Sequence, residues 1–240
     1  MQYNQFNQPI GDALPDFCAG EMPNATLLQG RFCRLERLGE QHADDLWAVY
    51  GNQSAAKNWT YLPPAYGPFA EKAAFFAFFR ATMAKTDPYC FAIIDEGTNN
   101  AVGTFSLMRI DTANRVIEVG AVIYSDRLKR SKIATEAQFL LAQYVFETLQ
   151  YRRYEWKCDA LNQPSRRAAE RLGFTYEGTF RQALVYQSRN RDTAWFSMLD
   201  SEWPQRKQRF LNWLADENFH QDGTQKQALG KMALEGWPMR

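Results

Sequence analysis

The chain reads as an α/β (α+β) protein on three observations. An apolar-periodic helix, a strand of period two and a second short helix follow one another between Ile133 and Gly173, a run of strand patterns precedes them, and a long hairpin follows. With 240 residues, 45% of them apolar, and a net charge of +1, the chain can bury one large core and is neither disordered nor strongly polyionic.

Residues 1–29, rich in Asn, Gln, Pro and Gly, form an arm that wraps the body or stays disordered, without the charged start and apolar run of a signal peptide. A short strand is expected over 31–35 and a helix over 41–50 carrying Leu46, Trp47 and Tyr50. Residues 58–69 make a stiff loop of aromatics and prolines. The helix expected over 69–83 packs Phe75, Phe76, Phe78 and Phe79 so tightly that they cannot all face one way. One face meets the sheet, and the other meets the arm, the loop or a second subunit of a homodimer. Residues 89–94, 102–108 and 116–124 then form an antiparallel meander.

Ile133, Ala137, Leu140, Leu141, Tyr144 and Val145 recur at helical spacing and make one buried helix. Tyr154, Trp156 and Cys158 alternate with Arg153, Glu155, Lys157 and Asp159, a half-buried strand. After Asn162 a helix restarts, with Pro164 tolerated in its first turn and Gly173 as terminator. A hairpin over 174–199 follows, then helices over 205–214 and 224–234. The segment 205–240 packs on the main body rather than forming a domain.

The turn ahead of the long helix carries Arg127, Lys129, Arg130 and Lys132. A helix start presents unpaired N–H groups and the positive end of its dipole, so this turn is either a seat for a phosphate or pyrophosphate, or a solvated basic turn relieved by Asp126 and Glu136. Cys18, Cys33, Cys90 and Cys158 lack pairing intervals and only His42 and His220 accompany them, so no metal and no Cys–His nucleophile is expected. A reducing cytoplasm is the expected compartment. No apolar run is long enough for a membrane span, and acidic residues dilute the arginines enough that direct nucleic-acid binding is not expected.

Several local motifs occur in a telling order. They are Glu118-Val119-Gly120; Ala134-Thr135-Glu136-Ala137 with Leu140-Leu141; Phe146-Glu147; Asn162 with Ser165-Arg166; Glu170-Arg171-Leu172-Gly173-Phe174; Glu177-Gly178; Arg191-Asp192-Thr193; and Glu202-Trp203-Pro204. Over residues 30–204 this series resembles the Gcn5-related N-acetyltransferase (GNAT) superfamily, in the branch of the ribosomal-protein serine and alanine N-acetyltransferases. The resemblance implies a GNAT-like acyl-CoA N-acyltransferase fold, a mixed, splayed central sheet flanked by helices. It implies acetyl-CoA as co-substrate, with the pantetheine arm paired to the backbone of Val122 and Tyr124 and the pyrophosphate bound along Lys129, Arg130, Ser131, Lys132, Ile133 and Ala134. Ser165 would hold the sulfur or an ordered water, or else satisfy its own turn; Asn162 would touch the cofactor or cap the helix.

Glu118 interrupts an apolar strand, and a buried carboxylate must be paired, raised in pKa or wet. It is either the general base for an amine nucleophile or a structural partner. Trp59 and Tyr61 face the acceptor or form lid core. Two departures stand out. The family's loop glycines fall on Arg130 and Lys132, which can serve if the turn keeps negative φ, and its usual tyrosine acid falls on Ala169. The implied function is acetyl transfer from acetyl-CoA to a primary amine in a ternary complex, the acceptor being a protein N-terminus or a small-molecule amine. The alternative is a non-catalytic acetyl-CoA-binding regulatory or interaction protein.

Overall fold

The computed structural model describes residues 2–232. A detached ribbon pairs β1 (Gln2–Tyr3) with β2 (Pro9–Ile10). The main sheet comprises β3 (Leu27–Gln29), β4 (Cys33–Arg37), β5 (Tyr89–Asp95), β6 (Asn100–Asp111), β7 (Val116–Tyr124), β8 (Arg153–Asp159), β9 (Thr175–Tyr186) and β10 (Arg189–Leu199), in the order β3-β4-β5-β6-β7-β8-β10-β9. The helices are α1 (Ala43–Tyr50), α2 (Lys72–Met83), α3 (Lys132–Gln143), α4 (Gln163–Leu172) and α5 (Trp203–Leu214).

All pairings are antiparallel except β7 with β8, which α3 connects as a crossover. That parallel ladder runs only from Val116 opposite Arg153 to Val119 opposite Trp156, and then the strands part. The splay coincides with a bulge. Gly120 pairs with Ser106 and Ile123 with Thr104, so Ala121, at φ +48°, and Val122 together oppose Phe105. The extra residue reverses side-chain parity along β7. Ile117 and Val119 enter the core under α3, Glu118 and Gly120 face the opposite side, and Tyr124 turns back to accept a 2.8 Å hydrogen bond from Gln138 of α3.

Two cores result. Beneath α3, α4 and α5 lie Phe91, Phe105, Leu107, Tyr154, Trp156 and Phe196; on the other face α1 and α2 cover Cys90, Ala92, Ile94 and Ile123. The aromatics of α2 divide accordingly. Phe75 and Phe79 are buried, while Phe78 packs on Tyr66 and Phe69 of the neighbouring loop. The helix begins at Lys72, three residues later than its hydrophobicity suggested, because Phe69 is held in an isolated bridge to Gly51.

The N-terminal segment wraps the body. Tyr144 accepts from the amides of Asn24 and Ala25, Tyr151 donates to Glu21, and Leu27–Gln29 joins the sheet edge, so residues 27–29 belong to the domain and not to the arm. The helix expected over 224–234 does not form within the described residues. Thr224 is held in a turn by Asp222, Phe219 bridges Gln225, and only the single turn Leu229–Lys231 follows, with 233–234 outside the described residues. Asp222 and Gly223 favour a turn over helix initiation.

Candidate active site

The slot between β7 and β8 opens at the same end of the sheet as the start of α3. In the basic turn, Arg127 pairs with Asp95 at 2.9 Å, Lys129 pairs with Asp126 at 2.7 Å, and the Lys132 ammonium lies 3.5 Å from the ring centroid of Phe219. Arg130 alone is exposed with its side chain unpartnered among the described residues. The Lys132 ammonium is thus held against the C-terminal segment while keeping its charge.

The backbone is similarly divided. Lys129 N–H donates to Ser125, Ser131 N–H to Leu128, and Ala134 N–H to the capping hydroxyl of Ser131. The N–H groups of Arg130, Lys132 and Ile133 have no acceptor among the described residues. Along 129–134, where a phosphate seat is expected, three amides and the Arg130 guanidinium are without a partner among the described residues. Arg130 sits at φ +59°, so the turn retains the left-handed conformation that glycine adopts freely, contrary to the expected negative φ.

Glu118 is 5% exposed at the vertex of the splay. Lys157 reaches it at 2.6 Å and Arg109 at 3.3 Å. Burial raises its pKa despite Lys157 and Arg109, and burial lowers that of Lys157 despite Glu118, so the titrations of the two groups are pushed toward each other. A Cβ on Gly120 would collide with Met108 Sδ and come within 3.2 Å of Glu118 Oε1; glycine keeps the space before this carboxylate. Lys157 and Arg109 also lie over Trp195, at 4.3 and 5.4 Å. The alternation of β8 places Lys157 on the Glu118 face, but only the cross-strand register identifies it as the partner.

Ser165 lies across the sheet, on the α3 and α4 side, in the first turn of α4. Trp156 Nε1 donates to its Oγ at 3.0 Å, which leaves the serine hydroxyl free to donate its own proton. Asn162 caps α4 by accepting from Ser165 N–H at 3.1 Å, the helix-capping alternative of the sequence reading. Burial raises the nearby Cys158 thiol, with Ser165 partly offsetting it, as befits a core residue. Val122 and Tyr124 lie on the stretch of β7 that has left β8, with that backbone edge unpaired.

The aromatic loop arches over this end of the slot. Asn58 donates to Asp126 beyond β7, and Tyr61 to the Leu161 carbonyl beyond β8. The β9–β10 turn fastens it, Gln187 donating to Leu62 and Arg189 to Thr60. Trp59 is only 5% exposed, packed on Tyr50 with its Nε1 on Ser54, which is the lid-core alternative; Tyr61 remains partly exposed over the slot. Gln187 and Arg189 were missed because a polar hairpin tip carries no sequence signal of what it touches.

A splayed β7–β8 pair, a crossover helix with unspent amides and a carboxylate at the vertex define an acyl-CoA-dependent N-acyltransferase architecture. The acetyltransferase (GNAT) domain family matches residues 33–175, and the chain belongs to that family. It is 34% identical over 101 residues to YdaF of Bacillus subtilis (strain 168), provisionally named a ribosomal N-acetyltransferase, a match spanning 42% of this chain and 55% of that protein. A GCN5-related N-acetyltransferase structure from Brucella melitensis is 47% identical, covering 90% of this chain and 97% of its own at TM-score 0.87. A GNAT-family structure from Chromobacterium violaceum ATCC 12472 is 36% identical, covering 82% of this chain and 98% of its own at TM-score 0.75.

Proposed function

We propose that the protein transfers the acetyl group of acetyl-CoA directly to a primary amine, with both substrates bound together. The observation that carries this reading is the slot beyond Val119 and Trp156, which opens beside the three unspent amides of Arg130, Lys132 and Ile133. Those amides and the Arg130 guanidinium receive the diphosphate. The free edge of β7 at Val122 and Tyr124 takes the pantetheine arm as an added strand.

The two faces of the sheet then divide the chemistry. From the α1 and α2 side the amine approaches beneath the arch of Tyr61, and Glu118 accepts its proton as nitrogen attacks the thioester carbon. The carbon–sulfur bond breaks, and from the α4 side Ser165, held by Trp156 at the positive end of the helix, donates a hydrogen bond to the departing thiolate, which leaves as the thiol after protonation from solvent. Of the two protons lost by the starting ammonium, one offsets that taken by sulfur and the other passes to solvent.

The acceptor is a protein N-terminus or a small-molecule amine; the arch bounds its site without selecting between them. A screen with labelled acetyl-CoA over peptide N-termini and small amines tests this reading. Label transfer to at least one primary amine is expected; tight acetyl-CoA binding without transfer to any amine contradicts catalysis.

A further inference from the structure

Arg171 of α4 is a cation without an anion. Both Nη atoms lie 3.3 Å from Oγ1 of Thr135, a neutral oxygen on α3, and no carboxylate pairs with it among the described residues. Its stem is covered by the C-terminal segment, since a Cβ on Gly230 would lie 3.8 Å from Arg171 Cα and 3.9 Å from its Cγ. Half-burying a guanidinium without a counter-charge is unfavourable, and arginine cannot escape by losing its proton. Burial lowers its pKa, with only Tyr124 favouring the charged form.

The surroundings form a polar seam. Thr135 stands one turn above Ser131, the cap of α3, and so close to the unspent amides. Gln138, one further turn along, spends its amide group on Tyr124 while its Oε1 is buried and unpartnered. A core element in its final state satisfies its polar atoms; this seam, with an unpaired cation and an orphaned oxygen, is built for a guest.

We propose that Arg171 is a ligand of a coenzyme phosphate, closing the seat from the α4 side. The proposal rests on the diphosphate being bound at the start of α3. Acetyl-CoA carries phosphate oxyanions in its diphosphate and at its 3′ position, and the planar guanidinium fork suits either. The free fork donors of Arg171 then replace a single weak contact with charge-assisted ones.

Calorimetric titration of the full chain with CoA and with dephospho-CoA tests this. Arg171→Gln is expected to weaken CoA binding about tenfold or more, and Arg171→Lys by less, with the melting temperature of the ligand-free protein unchanged or raised. An equal loss with dephospho-CoA assigns the diphosphate; a loss that vanishes with dephospho-CoA assigns the 3′-phosphate. CoA affinity within twofold of wild type in Arg171→Gln overturns the proposal, and a lowered melting temperature beside it marks a structural brace. If Arg171→Gln does not fold, unchanged CoA affinity in Arg171→Lys overturns it equally. Failure of the wild type to bind CoA overturns the acetyl-CoA reading and with it the role of Arg171, whereas wild-type binding with an unchanged Arg171→Gln overturns the role of Arg171 alone.

Discussion

At the scale of single residues, Glu118 is the most consequential group. It sits where β7 and β8 part, and burial keeps its pKa above the usual carboxylate range although Lys157 touches it. A base must be deprotonated to act, so kcat/KM should rise with pH through that raised value. Glu118→Gln is expected to lower kcat roughly a hundredfold and to remove this acid limb; an unchanged pH–rate profile would assign Glu118 to structure alone. Arg130 supplies a second test. Its left-handed backbone costs about 1 kcal/mol relative to glycine, so Arg130→Gly should stabilise the ligand-free protein by that order in denaturant unfolding while weakening CoA binding through loss of a cation that has no partner among the described residues. The anomalous carboxylate was legible in the sequence, because one acid in an apolar strand stands out. Lys157 was not, since its role depends on a parallel register that no local pattern encodes, and Arg171 was hidden because helix-face arginines are ordinarily solvated.

At the scale of elements, α4 joins fold and chemistry. Asn162 caps it, Pro164 begins it and Gly173, at φ +102°, ends it, all signalled by residue type. Asn162→Ala is expected to cost about 1 kcal/mol and to displace Ser165, lowering both the unfolding midpoint and kcat. Glu177 clamps the edge strand β9 to β8: Arg153 meets it bidentately at 2.6 and 2.8 Å, and Ser197 donates to it. Arg153 is the main cause of its depressed pKa. A depressed acid stabilises above its unfolded value and loses that contribution as pH falls through the folded one. The difference in melting temperature between wild type and Glu177→Gln should therefore be present at neutral pH and shrink below about pH 4.5; a difference constant with pH would contradict the ion pair's role. The bulge at Ala121 was signalled only by Gly120, and it decides that Tyr124 faces α3 while Glu118 faces the α1 and α2 side. Strand alternation fails at such a position because one inserted residue inverts everything after it.

At the scale of the molecule, the sheet is a partition with a slot in it. In the proposed reading coenzyme phosphates take the α3 and α4 side and the acceptor the α1 and α2 side, and the two meet where β7 and β8 diverge. The C-terminal segment is part of this body, with Asp216 on Arg31, Phe219 on Lys132 and Leu229 only 1% exposed in the α3-side core. No described helix is long and apolar enough to cross a membrane. Leu229→Ala should cost about 2–4 kcal/mol in denaturant unfolding if the segment is integral, and almost nothing if it is an appendage. The proposed partition also predicts a kinetic order. If Glu118 is the base and Ser165 holds the sulfur, as proposed, they act from opposite sides of one thioester, and direct transfer then requires both substrates to be present before any bond breaks. Initial rates measured while both acetyl-CoA and an accepted amine are varied should give intersecting lines, with CoA released only when the amine is present. Parallel lines, with an acetylated enzyme and free CoA formed from acetyl-CoA alone, would contradict the account.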